Sequence, residues 1–394
     1  MFMLICKRVK CAVLLFCVLG ATSVAWGDSR IMSMEEMQET LQLIVQRSSA
    51  NYEKINTWHG EMSFDGLQIQ RGKAAQSLVS LIAPHVDSID DINEARTVTR
   101  GTISFAVNQK PRQLLVKFHL DEQSVNAGER QIHAIRGGRL ALTSHVSLVT
   151  PDYFVSFTPD VVRGCAPEFE DMIPPSAKEA VIDDIGVVAR KHHGWTELVD
   201  PRQFYTFDGH RYHWEEAQRI TEQLNEAMTI GFQSEMIEAL DENGEKVHIW
   251  KCSVVDPNQG SRLEQEYVFN ESVAYNPVLI VKRLDGIPRI EQQITYQQID
   301  GCWLPERVKR TLRDVSNELT FERTVIITES ELNKEIPLET FTLASMGLRD
   351  DDQVRDVQND RTFLYRDGVL IDASGAPTAH LEEYRSLLPR RPSE

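Results

Sequence analysis

Ile103-Ser104-Phe105-Ala106-Val107, followed after a short polar stretch by Leu114-Leu115-Val116-Lys117-Phe118-His119-Leu120, decides the fold. Ile103, Phe105 and Val107 recur at every second position, as do Leu114, Val116, Phe118 and Leu120. That period puts each set on one face of an extended strand. The alternation returns at Leu263, Tyr267 and Phe269, at Ile290, Ile294 and Tyr296, and at Leu319, Phe321, Val325 and Ile327. Turn dipeptides punctuate the chain: Asp65-Gly66, Gly137-Gly138, Asp208-Gly209, Asn243-Gly244, Asp285-Gly286, Asp300-Gly301 and Asp367-Gly368. Such pairs accept positive φ cheaply and suit tight hairpins. Helices long enough for repeated βαβ crossovers are missing between most of these runs, so the sheet is expected to be antiparallel.

Ahead of the strands lies a helix. Ser33 and Glu36 have the spacing of a capping box, and Met34, Met37, Leu41, Ile44, Tyr52 and Ile55 form one apolar stripe. A helix with such a stripe has to lie on something, and the sheet is the only large apolar surface on offer. Two stretches interrupt the strand pattern and read as insertions, near 66–100 and 160–231. The first is helical around Leu78, Val79, Leu81 and Ile82, broken by Pro84. The second opens as a loop through Pro174-Pro175 and ends in a helix with Ala217, Ile220, Leu224 and Met228 on one face. A small strand-rich module follows over 331–380, then a polar tail, 381–394.

The first 27 residues read as an export leader. Lys7, Arg8 and Lys10 precede the apolar run Cys11 to Leu19, and Ala25-Trp26-Gly27 puts small residues where a signal peptidase reads. The run falls short of the roughly 20 residues that span a bilayer. Cleavage after Gly27 is therefore expected, with Asp28 opening a mature chain that carries no further transmembrane segment. Phe16 before Cys17 is too bulky for a lipoprotein signal. The whole chain has a formal charge of −17, and losing Lys7, Arg8 and Lys10 leaves −20. That field opposes nucleic acid, and no local basic patch stands out beyond Arg390-Arg391 in a Pro-flanked tail. Three cysteines remain after cleavage, Cys165, Cys252 and Cys302, an odd count that does not make a disulfide framework. Cys252 and Cys302 lie in strand-like segments and could bridge or stay as buried thiols.

Reactive constellations are scarce. His210 and His213, with Glu215 or Glu216, could offer zinc two imidazoles and a carboxylate, but neither His-Glu-x-x-His nor Cys-x-x-Cys occurs. An aromatic- and His-rich loop, including His192 and His193, is the simpler reading. Gly66 to Lys73 fails as a phosphate loop, because five residues separate Gly66 from Gly72 and Ala74 replaces the magnesium-binding hydroxyl. No Gly-x-Ser-x-Gly elbow exists. Cys165 would need a nearby base to act as a nucleophile. Asp350-Asp351-Asp352 lacks the ligand spacing of an EF-hand loop.

The helix ending Tyr52-Glu53-Lys54-Ile55-Asn56-Thr57, the strand entered at Trp58, and the late hairpin Tyr296-Gln297-Gln298-Ile299-Asp300-Gly301-Cys302-Trp303-Leu304-Pro305 together resemble the LolA/LolB-like superfamily of outer-membrane lipoprotein-sorting factors. The likeness is to its large secreted bacterial members and covers residues 32 to about 330. Leu332-Asn333 through Phe341 and a tail module, Leu348 through Asp372, follow the same order. The resemblance implies a half-open antiparallel barrel whose apolar concave face is plugged by helices and accommodates acyl chains. It brings no catalytic residues. The two insertions depart from the minimal carrier.

The expectation is an α+β protein: a large curved antiparallel sheet over 28–330, a half-open barrel, wrapping the N-terminal amphipathic helix and a second inserted helix. Its function is expected to be non-enzymatic, with no cofactor, no metal and no catalytic residue. An exported protein, periplasmic or extracellular, would hold a lipid, an acylated protein or another hydrophobic ligand in its concave face. The cavity candidates are Met34, Met37, Leu41, Ile44, Trp58, Phe105, Phe118, Tyr267, Phe269, Tyr296 and Phe321, set against the simpler view that such residues only fill a core. The alternatives are an envelope sensor or scaffold that binds protein partners through the sheet, and an exported metal-dependent hydrolase using His210 and His213.

Overall fold

The computed structural model describes residues 29–82, 89–110, 112–127, 130–135, 144–159, 179–184, 213–229, 232–255, 260–373 and 384–388. The leader, Pro84, Cys165, Pro174-Pro175, Gly137-Gly138, Asp208-Gly209, His192, His193 and His210 lie outside these residues, as do the side chains of His213, Glu216 and Met228.

Chain order is β1 (Arg30–Ile31), α1 (Met34–Glu53), β2 (Thr57–Arg71), α2 (Lys73–Ile82), β3 (Glu94–Asn108), β4 (Gln113–Ala127), β5 (Arg130–Ile135), β6 (Ser144–Val149), β7 (Tyr153–Phe157) and β8 (Ala180–Asp184). Then come α3 (His213–Thr229), β9 (Gln233–Leu240), β10 (Lys246–Val255), β11 (Arg262–Asn270), β12 (Asn276–Leu284), β13 (Ile287–Ile299), β14 (Cys302–Arg313) and β15 (Leu319–Leu332). The last strands are β16 (Gln353–Asp356), β17 (Arg361–Arg366) and β18 (Val369–Asp372).

All eighteen strands join one sheet. It runs β1-β9-β10-β11-β12-β13-β14-β15-β2-β3-β4, continues through β6-β7-β8-β16-β17-β18, and carries β5 as a branch on β4. Among the described residues these pairings never return on themselves, so the sheet they form is curved and open rather than closed. Bulges at Arg100/Gly101, Thr295/Tyr296 and Ile327/Glu329 add to its twist. Every pair is antiparallel except β8 with β16, where Val354 faces Ala180 in parallel. The curved, open and predominantly antiparallel sheet is the one expected, with this one parallel pair among the described strands.

Local chemistry sets the elements. The Ser33 hydroxyl accepts from the Glu36 amide at 3.3 Å and the Glu36 carboxylate accepts from the Ser33 amide at 2.7 Å, closing the capping box that starts α1. Asp285-Gly286, Asp300-Gly301 and Asp367-Gly368 have positive φ at both positions and turn the β12–β13, β13–β14 and β17–β18 hairpins. Asp65-Gly66 is no turn: it lies inside β2, which pairs with β3 without a break from Thr57 opposite Asn108 to Arg71 opposite Glu94. Within the first insertion the described residues form α2 and the short helical turn Ile89–Asp91, and its residues from Glu94 onward are strand β3. Within the second, β8 is a strand that joins β7 to β16.

The sheet has a core on each face. On the concave side α1 and α3 pack together against Trp58, Met62, Phe64, Phe105, Trp250, Phe269 and their neighbours. On the convex side the chain after β15 lays Phe341, Leu343, Met346, Phe363 and Tyr384 over Ala106, Leu115, Leu148 and Phe157. The C-terminal segment thus shares a core with the sheet.

Candidate functional site

The concave face gathers most of the candidates named from sequence. Met37, Leu41 and Ile44 are fully buried along one side of α1, but Met34 at its start is 44% exposed and lies outside the packed stripe. The far end of the helix is tied to the sheet by polar side chains. The Asn51 amide donates to the Trp303 carbonyl at 2.8 Å while its oxygen accepts from the Trp303 amide at 2.8 Å. The Ser48 hydroxyl donates to the Tyr275 carbonyl at 3.1 Å, and Asn333 closes the exit, accepting from the Asn56 amide at 2.8 Å. These bonds link the helix end to the hairpin at Asp300–Pro305, two segments read separately in the sequence.

Against α1 stand two aromatic walls. Trp58 meets Phe105 edge-on with ring centroids 5.2 Å apart, and Phe64 stacks on Phe118 at 4.8 Å. Gly101 makes room for the second pair, since a Cβ there would lie 2.6 Å from the Phe64 ring. Across the concavity Trp250 stacks on Tyr267 at 5.5 Å and Tyr267 on Phe269 at 5.9 Å. The Trp250 indole donates to the Ser234 hydroxyl at 2.9 Å, and that hydroxyl lies 3.6 Å from the Met37 sulfur. Tyr296 is partly buried and donates its hydroxyl to the Pro277 carbonyl at 2.8 Å. Phe321 is half-buried at one margin of the face, with the Arg323 guanidinium 4.9 Å above its ring.

Trp250 is the largest candidate absent from the sequence reading. Its signal was there in the alternation of His248, Trp250 and Cys252, which share the concave side of β10. Cys252 and Cys302 are both buried with no disulfide between them, and burial pushes the Cys302 thiol up.

At one end of the face a polar cluster replaces the aromatics. His248 is buried, stacks on Tyr275, and its Nε2 lies 2.9 Å from the Glu271 carboxylate. Burial raises the Tyr275 hydroxyl to about 12, helped by the neighbouring Glu271 charge. Burial works against ionisation of Glu271 as well, but hydrogen bonds from His248 and Tyr275 and the charge of Lys246 outweigh it, leaving the carboxyl low. The arrangement orders the β10–β12 end of the sheet and fixes an ionised carboxylate there.

Two grooves among the described residues differ in lining, the first polar and the second more apolar. One of about 460 Å³ is lined by Glu235, Lys251, Arg262, Glu264, Glu266 and Arg283. These pair as Arg283–Glu266 at 3.0 Å, Arg262–Glu264 at 3.0 Å and Lys251–Glu235 at 3.7 Å, a solvated ion-pair lattice of small energetic weight. Another, of about 410 Å³, runs between β2 and the segment Glu335–Thr340, with Glu61 and Lys117 on its walls. The apolar concave surface itself is occupied by α1 and α3.

Fold and site together define an open curved sheet wrapped round two helices, with an apolar, aromatic-lined interior. No family model matches the sequence, and no curated protein matches it. Among solved structures it is similar to a domain from Vibrio parahaemolyticus named for outer membrane lipoprotein sorting, at 10% identity and a TM-score of 0.36, over 79% of this chain and 100% of that one. It is also similar to a DUF1329 family protein from Desulfovibrio piger, at 10% identity and a TM-score of 0.29, over 79% of this chain and 98% of that one. Identities and scores are low, and the functional reading rests on this chain's own geometry. No helix among the described residues is long and apolar enough to cross a membrane.

Proposed function

We propose that the chain is an exported, non-enzymatic binding protein that holds a lipid, the acyl chain of an acylated protein or another hydrophobic ligand on the concave face of its sheet. One observation carries this reading. The apolar interior is filled by two helices rather than by a second sheet. α1 is clamped to β14 and to Tyr275 through Asn51 and Ser48, and α3 adds Ala217, Ile220 and Leu224 to the same core.

An acyl chain of about 15 methylenes at about 0.8 kcal/mol each gains about 12 kcal/mol on leaving water for an apolar face of this kind. Export rests on the basic, apolar and small-residue order of residues 1–27.

The test is native mass spectrometry of the purified mature protein, organic extraction, and titration with a fluorescent fatty acid. A co-purifying lipid or saturable probe binding supports the carrier. Absence of both removes it.

A second reading, a scaffold for a protein partner, has its own support. Ile31, Ile237, Ile249, Val268 and Leu279 stand in register across five strands on the side away from α1, and Ile31 is 69% exposed.

A further inference from the structure

On the convex side, where β15 meets β2, strand register sets two carboxylates against each other. Glu329 on β15 lies opposite Glu61 on β2, which is followed by Ser104 on β3 and Lys117 on β4. One level along, Glu331 faces His59, followed by Ala106 and Leu115. That second level is satisfied: His59 Nε2 lies 3.1 Å from the Glu331 carboxylate, and Ala106 and Leu115 enter the convex core. The first level is not. Glu61 and Glu329 are exposed, and neither carboxylate has a basic group within ion-pair distance. Lys117 stands two strands away from Glu61, roughly 10 Å in strand spacing. Like charges on directly facing positions destabilise a sheet.

The facing pair borders the groove of about 410 Å³ between β2 and the segment Glu335–Thr340. Its geometry is set by the irregularity at Ile327/Glu329, where a Cβ on Gly60 would run into the Glu329 carbonyl, so glycine lets the two strands close up. Glu335 adds a third exposed carboxylate to the lining, again without a basic partner. Between these charges the lining is apolar: Ala106, Leu115, Ile336 and Pro337, with Leu338 next in the chain 41% exposed. His59 also lines the groove, and its Nδ1 has no hydrogen-bond partner. With Nε2 donating to Glu331, that nitrogen is an acceptor. Three carboxylates and an imidazole nitrogen thus leave acceptors unanswered around an apolar floor.

We propose that this groove docks a basic segment of a partner protein, with lysine or arginine side chains meeting Glu61, Glu329 and Glu335 while apolar neighbours rest on Leu115, Ile336 and Pro337. Lysine and arginine are donors only, which suits unanswered acceptors, and a cation between Glu61 and Glu329 removes their repulsion. The chain's formal charge of −17 draws basic partners from a distance. Exposed ion pairs are individually weak, so the apolar floor has to supply the rest of the affinity, and the segment must carry both kinds of side chain. The groove lies on the convex side, so the proposal is independent of any ligand on the concave face.

The test titrates the full mature chain into fluorescein-labelled Lys-Leu-Lys-Leu-Lys, read by anisotropy, beside Lys-Ser-Lys-Ser-Lys and Glu-Leu-Glu-Leu-Glu. The first peptide is expected to bind at least about tenfold tighter than either of the others. Glu61→Gln with Glu329→Gln removes two surface ion pairs and should weaken it about tenfold. The same variant should not lower the melting temperature, because the facing charges oppose the fold; a purely structural role predicts the reverse. Glu335→Gln, outside the strands, should weaken binding about threefold and serves if the double variant fails to fold. Glu242→Gln with Glu306→Gln, exposed carboxylates that do not line the groove, should bind like the unaltered protein. Equal weakening by both double variants assigns binding to overall charge and overturns the groove. Equal affinity for the leucine and serine peptides, or no binding of the first peptide, overturns it too. If removing residues 389–394 raises affinity about tenfold, the chain's own Arg390-Arg391 competes for the groove, which overturns the partner.

Discussion

Leu41→Ala separates a concave core that merely fills from one that yields. Leu41 is fully buried in the middle of α1, between Met37 and Ile44. Truncation removes three carbons from the apolar interior, and at about 0.8 kcal/mol per methylene the transfer loss is about 2.4 kcal/mol. If α1 stays where Asn51 and Ser48 hold it, a void of about 50 Å³ remains, and at about 24 cal/mol per Å³ it adds about 1.2 kcal/mol. The expected cost is therefore about 3.5 kcal/mol, read from urea or guanidinium unfolding as a shift in midpoint at constant slope. The void adjoins the helix stripe, so affinity for a fluorescent fatty acid should rise as the chain gains room. A cost below about 1 kcal/mol would refute the packing of α1 described above. The full cost without probe binding in either protein would refute the ligand site and keep the packing.

Gly101→Ala should destabilise by about 2 kcal/mol or more, because its Cβ would lie 2.1 Å from the His119 carbonyl and 2.6 Å from the Phe64 ring. Thermal unfolding reads this, and a neutral result would mean that β3 and the Phe64–Phe118 stack are looser than drawn. Asp356 is buried under the C-terminal layer, where burial alone would raise its carboxyl, but the Tyr384 hydroxyl, the Asn359 amide group and the Gln358 and Asn359 backbone amides hold it low. A lowered carboxyl stabilises the fold above its unfolded pKa of about 4, and the gain is lost as pH falls through the folded value. Unfolding between about pH 6 and about pH 2 should show that loss, and Asp356→Asn should flatten that part of the profile. Cys252 and Cys302 should resist a thiol reagent at neutral pH and react at once in guanidinium, as buried thiols with a raised Cys302 pKa require. Fast labelling of the native protein would place one of them at the surface.

The N-terminal helix was legible because its signals are local: Ser33 and Glu36 are three residues apart, and the stripe through Ile44 repeats within a few turns. The turns at Asp285-Gly286, Asp300-Gly301 and Asp367-Gly368 were legible for the same reason. Asp65-Gly66 was misread because the same dipeptide sits where long strands on both sides, β3 and β15, hold it extended. Residue choice proposes a turn there, and pairing along the whole of β2 outweighs it. The convex core was missed although its signal was visible. Leu114, Leu115 and Val116 are consecutive apolar residues, the mark of a strand buried on both faces. Attending only to Leu114, Val116 and Phe118 found the side facing α1 and left Leu115 to the solvent, when in fact it lies under the C-terminal layer.

The charged row on the concave face illustrates a placement that period-two reading cannot reach. Gln292, Arg310, Arg323 and Gly66 belong to four strands, and nothing in any one strand marks its member as special. Arg310 and Arg323 look like ordinary charges on amphipathic strands, which would place them in water. What fixes them on the concave side is the phase of each strand, set by buried Val308 two residues before Arg310 and buried Val325 two residues after Arg323. What sets them side by side is the β14–β15 register, carried by the Val308–Val325 pair and preserved as far as the irregularity at Leu312/Arg313. A one-residue slip of β15 would turn Arg323 outward, and with it Val325 and Ile327 out of the core. The burial of those two side chains therefore enforces the arginine pair. The apolar levels and the charged row between them are specified by the same register.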